Sequence, residues 1–404
     1  MHPNLVYWLW LTMAYGPANP RKWNMLSHYE SVKSAYEAIS SGDLRYVMPD
    51  DRKGIESTTL VHAKKLLDYT LKKEISICCY DDEIFPNRLR DIFNPPSVLF
   101  YLGDITIIDE SVVITCVGTK KPDEYSVAVS ERICHDLAKS GVVIASGFAV
   151  GLDSVAHNSA IKAGGKTVAV LPCGILCDYP KENSKSKQLI AENGAVISEC
   201  LPGDKAFAHY FRLRNRILSG IGLGTLVLQA GAASGALSTA SFALSQGKDI
   251  FCIPPHELYN DSYSGVIGLI RDGAIPVFEA RDILNEYFST YAHKLNPNSG
   301  IFSRRSDSGL FAKQDTPKPK PSPKKTSAES EEVSRPAEKP KLMDTEALPK
   351  AQRLIYEYLA DNGAQLLDAI FDALGSEIPD LESEITDMEI DGIIRALPGN
   401  RFSI

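Results

Sequence analysis

The sequence has no apolar run long enough to cross a bilayer. The longest near the start, LVYWLWLTMAY (Leu5–Tyr15), falls well short of the roughly 20 residues a membrane helix needs. No basic leader or small-residue cleavage site accompanies it, so export and membrane insertion are not expected. The eight cysteines contain no CxxC pair. Cys173 and Cys177 are separated by GIL with no second pair or histidine cluster nearby, which argues against zinc and for reduced thiols in a cytoplasmic protein. A GxGxxG fingerprint is also missing, which disfavours a bound dinucleotide. Neither a metal nor a cofactor is expected.

What is present is ample core material: 404 residues, 44% of them hydrophobic, suit two to three domains. The net charge of −8 argues superficially against a nucleic-acid partner. Its distribution weakens that argument. Residues 344–404 hold thirteen acidic and four basic side chains, whereas residues 111–280 hold fifteen of each. The acidity belongs to the tail, and a local basic patch elsewhere remains open.

Four regions follow from composition. Residues 1–75 carry short helical patterns and no strand signals, which predicts a small helical domain of the SAM or helix-hairpin-helix kind. Residues 76–290 begin with a proline-rich connector and settle into alternation: SVVITCV, GVVIA, KTVAVLP, GAVIS, TLVLQA and DIFCIP are strand-like, with helical segments between most of them. That pattern predicts an α/β fold, an extended Rossmann-like and mostly parallel sheet whose ligands bind beyond the strand carboxyl ends. Residues 303–343, rich in Pro, Lys, Ser and Glu, cannot build a core and read as a disordered linker. Residues 344–404 suggest a winged-helix-like domain, too acidic to grip a DNA backbone directly.

Within the core, SGFAVGLDSVAH (Ser146–His157) places glycines between a strand and a helix. This is either an ordinary strand-to-helix turn or a seat for phosphate, with Ser146, Gly147 and Gly151 leaving the first helical amides uncovered. Asp153 and His157 share one helix face, as a buried bracing pair or as a base with its orienting carboxylate. The segment FRLRNRILSG spaces Arg212, Arg214 and Arg216 two apart at an expected loop-to-helix junction, so that at least two face one surface and fork onto phosphate oxygens. Lys120, Lys121 and Lys181 follow strand-like runs and point to the same basic rim.

SGFAVGLDSVAHNSAI, GKTVAVLPCGILCDYPKEN, FRLRNRILSGIGLGTLVLQAGAASGALSTASFAL and SGVIGLIRDGA resemble successive signature blocks of the DNA-processing protein A family (DprA, also called Smf), in the family order. The resemblance is strong over roughly residues 75–280. It implies a cytoplasmic, typically dimeric protein without established turnover that binds single-stranded DNA and helps load the RecA recombinase during natural transformation. By the same resemblance, Lys120 takes the place of a DNA-contacting arginine, Lys181 that of a DNA-contacting lysine, and Arg214 and Arg216 belong to the arginine motif. Gly118, Thr119, Arg212, Asn215, Ser234 and Gly235 complete the expected DNA-facing set. Self-association is expected through Val266, Leu269 and Ile270. Lys120, Ser126, Gln229 and Pro255 depart from the usual pattern and bear on DNA affinity more than on fold. Two other readings stay open: a Rossmann-like enzyme acting on nucleoside monophosphates, for which Gln229 lacks the needed carboxylate, and an adaptor acting through the acidic tail.

Overall fold

The structure is a computed structural model that describes residues 2–296 and 348–374, together with scattered residues from there to 403. The expected linker, 303–343, lies outside the described residues. The chain divides into two compact units, Met1–Lys313 and Gln314–Ile404.

The first unit opens with five helices: α1 (Leu5–Tyr15), α2 (Arg21–Leu26), α3 (Val32–Ser40), α4 (Pro49–Ser57) and α5 (Leu60–Lys72). Ser31 and Thr59 cap α3 and α5 through their side-chain oxygens, which accept the exposed amides of the first turns. Helix α1 is apolar on nearly every side, and its Leu9, Trp10 and Leu11 are buried. An all-round apolar helix needs partners on all sides. It finds them in one cluster that joins Trp8, Trp10 and Ile55 to sheet residues Val98, Phe100, Ala169 and Val196. The helical layer and the sheet therefore share a core.

Nine strands follow: β1 (Ser76–Cys79), β2 (Val98–Gly103), β3 (Val113–Val117), β4 (Val143–Ser146), β5 (Thr167–Val170), β6 (Gly194–Ser198), β7 (Gly224–Val227), β8 (Asp249–Cys252) and β9 (Ile275–Pro276). They form one sheet in the order β1-β2-β6-β5-β4-β3-β7-β8-β9. From β6 to β9 all pairings are parallel, while β1 and β2 are antiparallel. This is the α/β, extended Rossmann-like architecture expected from the alternating pattern.

The intervening helices are α6 (Ile107–Glu110), α7 (Glu124–Lys139), α8 (Leu152–Lys162), α9 (Ser184–Glu192), α10 (Ala208–Ile221), α11 (Gly235–Ser245), α12 (Ser264–Arg271) and α13 (Ala280–Tyr291). Because side chains alternate along a strand, β3 sends Val113 and Val117 to the face covered by α10, α11 and α12, and Ile114 and Cys116 to the face covered by α7, α8 and α13. Strand order reverses between β3 and β7, whose sequence neighbours β4 and β8 lie on opposite sides. Diverging crossovers leave a crevice at such a switch point.

In the second unit, α14 (Lys350–Asn362), α15 (Leu367–Leu374) and the short strands β10 (Gln365–Leu366), β11 (Arg395–Leu397) and β12 (Arg401–Ser403) give helix, strand, helix and hairpin. The strands pair in the order β10-β12-β11, and Ile355, Leu359, Ile370 and Phe402 are buried together.

Candidate functional site

The crevice beyond β3 and β7 is a cavity of about 1060 Å³. One wall is the turn after β3, where Gly118, Thr119, Lys120 and Lys121 line it. Glycine is needed at 118 because an added Cβ would lie 2.5 Å from Leu152 Cδ1. Opposite stands the loop after β7, Gly231 to Ser234, leading into α11, whose cap is the Ser234 side chain accepting the Ala236 amide at 3.3 Å. Phe211, Arg214 and Asn215 of α10 close the back, with Tyr179 beside them. Lys120 and Lys121 are exposed, and Lys120 Nζ sits 5.3 Å from the centre of the Phe211 ring.

The structure assembles part of the expected set here. Gly118, Thr119, Lys120, Arg214, Asn215, Ser234 and Gly235 all line the cavity. Lys181 lies just outside, exposed on the turn after Tyr179 and Pro180, and Arg212 is exposed on α10 without lining the cavity.

Three expectations are corrected by burial. The arginines do not fork from one surface: Arg214 and Arg216 are both buried, and they point to different sides of α10. The whole motif lies inside that helix, where two residues turn the side chain by about 200°. Arg214 donates from Nη1 to Gly147 O at 2.7 Å and to Val170 O. Burial draws its pKa down to about 10, opposed by the Asp153 carboxylate. Arg216 turns towards the helical layer, donating from Nη2 to Glu199 Oε2 at 2.7 Å and from Nε to Asn94 O at 2.8 Å. Lys22, fully buried, reaches the other oxygen of Glu199 at 3.3 Å. Burial alone raises a carboxylate's pKa; here Arg216 and Lys22 together hold Glu199 below its ordinary value. Arg216 thus belongs to a buried Lys–Glu–Arg triad that fastens α2 to α10.

The turn SGFAVG is not an open phosphate seat. Leu152 N donates to Thr119 O at 3.2 Å, and Ala149 N to Asp153 Oδ2 at 3.2 Å. Gly151, at φ +86°, is pressed against the Thr119–Lys120 backbone, where a Cβ would approach Thr119 O to 2.5 Å. Ser146 is buried and donates to Cys116 O at 2.6 Å. A Cβ on Gly147 would lie 2.7 Å from two Arg214 guanidinium nitrogens. The anion held by this turn is the protein's own Asp153, which burial pushes up in pKa against the pull of Arg214.

Asp153 and His157 brace separately. Asp153 holds the turn and lines the cavity, whereas His157 Nδ1 lies 2.7 Å from Thr167 Oγ1, tying α8 to β5. Burial, helped by Arg214, pushes His157 down to about 3. Val266 is no surface residue either: its side chain is wholly buried in the core and its amide donates to Ala230 O, while Leu269 and Ile270 are half-buried against the same core.

Three features escaped the sequence reading. Lys22 and Glu199 carry no local signal of their pairing. A polar network beside the cavity holds Gln229 and Ser126: Gln229 Nε2 donates to Asp123 Oδ2 and to Ser262 Oγ at 3.0 Å each, and Ser126 Oγ lies 2.8 Å from Tyr263 OH, which donates to Asp123 at 2.6 Å. Burial favours a neutral Asp123, but Tyr263 and Ser126 hold it below its ordinary value. Finally, the aromatic side chains of the cavity wall, Tyr179 and Phe211, meet edge to face with ring centres 5.5 Å apart.

Residues 76–288, which hold the sheet and both walls of the cavity, match the family model described as DNA recombination-mediator protein A. The DNA processing protein DprA of Bacillus subtilis (strain 168) is 37% identical over 202 residues, covering 50% of this chain and 68% of its own. Protein Smf of Synechocystis is 30% identical over 284 residues, 69% of this chain and 71% of its own. The X-ray structure of DprA from Streptococcus pneumoniae superposes with a TM-score of 0.60 at 27% identity, covering 69% of this chain and 95% of its own. The chain therefore belongs to the DNA recombination-mediator protein A family.

Proposed function

We propose that this protein binds single-stranded DNA in the cavity beyond β3 and β7, without chemical turnover, and passes the strand to the RecA recombinase during DNA uptake. The observation that carries the reading is the meeting of Lys120 and Lys121 with an apolar, aromatic-walled cavity at the strand-order switch point. Cationic groups at the mouth hold phosphates, and the apolar walls receive bases, a combination suited to unpaired strands. Arg214 acts from behind, as a buried positive charge that fixes the turn after β4. Family membership supports a role as a recombination mediator. Self-association through α12, where Leu269 and Ile270 stay half-buried, fits the same reading, since paired clefts hold one strand by two segments.

A salt series of binding to single-stranded and blunt duplex DNA tests it. Tighter binding to the single strand, falling steeply with salt, is expected. Equal affinity for both with a flat salt response overturns it.

A further inference from the structure

Resting on that reading, we infer that the first turn of α10 is a base-stacking platform that extends the cavity outwards and makes binding depend on bases as well as phosphates. Aromatic side chains crowd the start of α10, from Phe207 at its cap to Phe211 at the cavity wall. Phe211 and Tyr179 form the inner end of this cluster. Tyr210 meets Phe207 with ring centres 5.7 Å apart and His209 at 4.2 Å, and Phe207 and His209 lie nearly parallel, 20° apart at 6.0 Å. Phe207 is 51% exposed although it is a large apolar side chain, and His209 is exposed beside it. Large aromatic side chains are mostly buried where the fold permits; these two stay exposed.

The occupant follows from what surrounds the cluster. Lys120, Lys181, Lys205 and Arg212 are exposed within two residues of these rings or against them, outnumbering the exposed acids Asp178 and Glu182 two to one. The nearby Asp204 is half-buried, its Oδ2 accepting the Leu201 amide at 2.9 Å. An apolar protein partner would bury these cations, whereas a single strand brings a phosphate to each and a π-face for each ring. Phe207 also lies one helical turn before Phe211, which lines the cavity, so a strand leaving the cavity along the start of α10 meets Phe207 next.

The test uses full-length protein, a 20-mer of thymidylate, and a 20-mer of abasic phosphodiester units as the probe without bases. The wild type is expected to bind the thymidylate strand about tenfold tighter than the abasic one, the scale of one or two stacked bases. Phe207→Ala is expected to lose about tenfold on the thymidylate strand only, keeping its affinity for the abasic strand, its salt slope and its melting temperature. Phe207→Trp restores base-dependent binding. Equal binding of both strands by the wild type, or equal weakening of both by Phe207→Ala, overturns the platform while leaving the cavity as a DNA site. Failure to bind either strand overturns both.

Discussion

Arg216 Nη2 and Glu199 Oε2 lie 2.7 Å apart, with both side chains at most 5% exposed. A charge pair so enclosed is strongly destabilising to break, because the partner left behind stays buried without compensation. Arg216, like the buried Arg214, is therefore held in place by the fold itself.

Replacing Arg216 with alanine is expected to destabilise the fold by about 3–5 kcal/mol, while the fraction that remains folded binds single-stranded DNA normally. Urea melts alongside a binding titration check this. Wild-type stability together with lost binding would place Arg216 on the strand after all.

Lys120→Ala and Lys121→Ala act at the mouth of the cavity, where both side chains are exposed. Each is expected to leave the melting temperature unchanged, to weaken binding to all sequences alike and to lower the salt slope by about one. Titrations of the single and double variants between low and physiological salt supply the measurement; an unaltered slope argues against direct phosphate contact.

The glycines separate packing from access. Gly147→Ala puts a methyl group 2.7 Å from the Arg214 guanidinium and 2.8 Å from Asp153 Oδ2, so a loss of about 1–3 kcal/mol is expected. Gly235 also lines the cavity, but nothing lies within 4 Å of an added Cβ and Gly235→Ala should fold as the wild type does. Thermal melts of the two variants, run side by side, decide it.

His157 gives a pH signature. Its folded pKa of about 3 lies below the unfolded value near 6.5, so between those limits the unfolded chain binds more protons. The stability from burying the neutral ring is complete above pH 6.5 and drains away as pH falls towards 3, by at most roughly 1.4 kcal/mol per pH unit. His157→Gln should flatten the stability profile between pH 7 and 5 in urea melts. An unchanged profile would mean that other groups carry the acid sensitivity.

The sheet was legible because parallel strands buried on both faces read as short, near-continuous apolar runs, as in GVVIA and TLVLQA, at regular intervals along the chain. The cavity was legible for the same reason: alternation fixes which ends of the strands meet. Burial of charge was not. FRLRNR reads as a surface run until α10 is known to begin at Ala208 and to be covered on two sides, by the sheet and by the helical layer. Likewise Gly147 and Gly151 signal a tight turn, but whether its amides face a ligand or a side chain depends on Asp153 folding back onto Ala149, a contact across one helical turn that glycine spacing does not encode. Lys22 met its partner 177 residues away, beyond any local pattern.

That separation governs how the protein emerges from the ribosome. At about 5–20 residues per second, α2 waits on the order of 10–35 s before Glu199 is synthesised. Through that interval Lys22 lacks the carboxylate that partners it in the fold. The buried triad that fastens α2 to α10 is therefore complete only once Arg216 has been added to the chain.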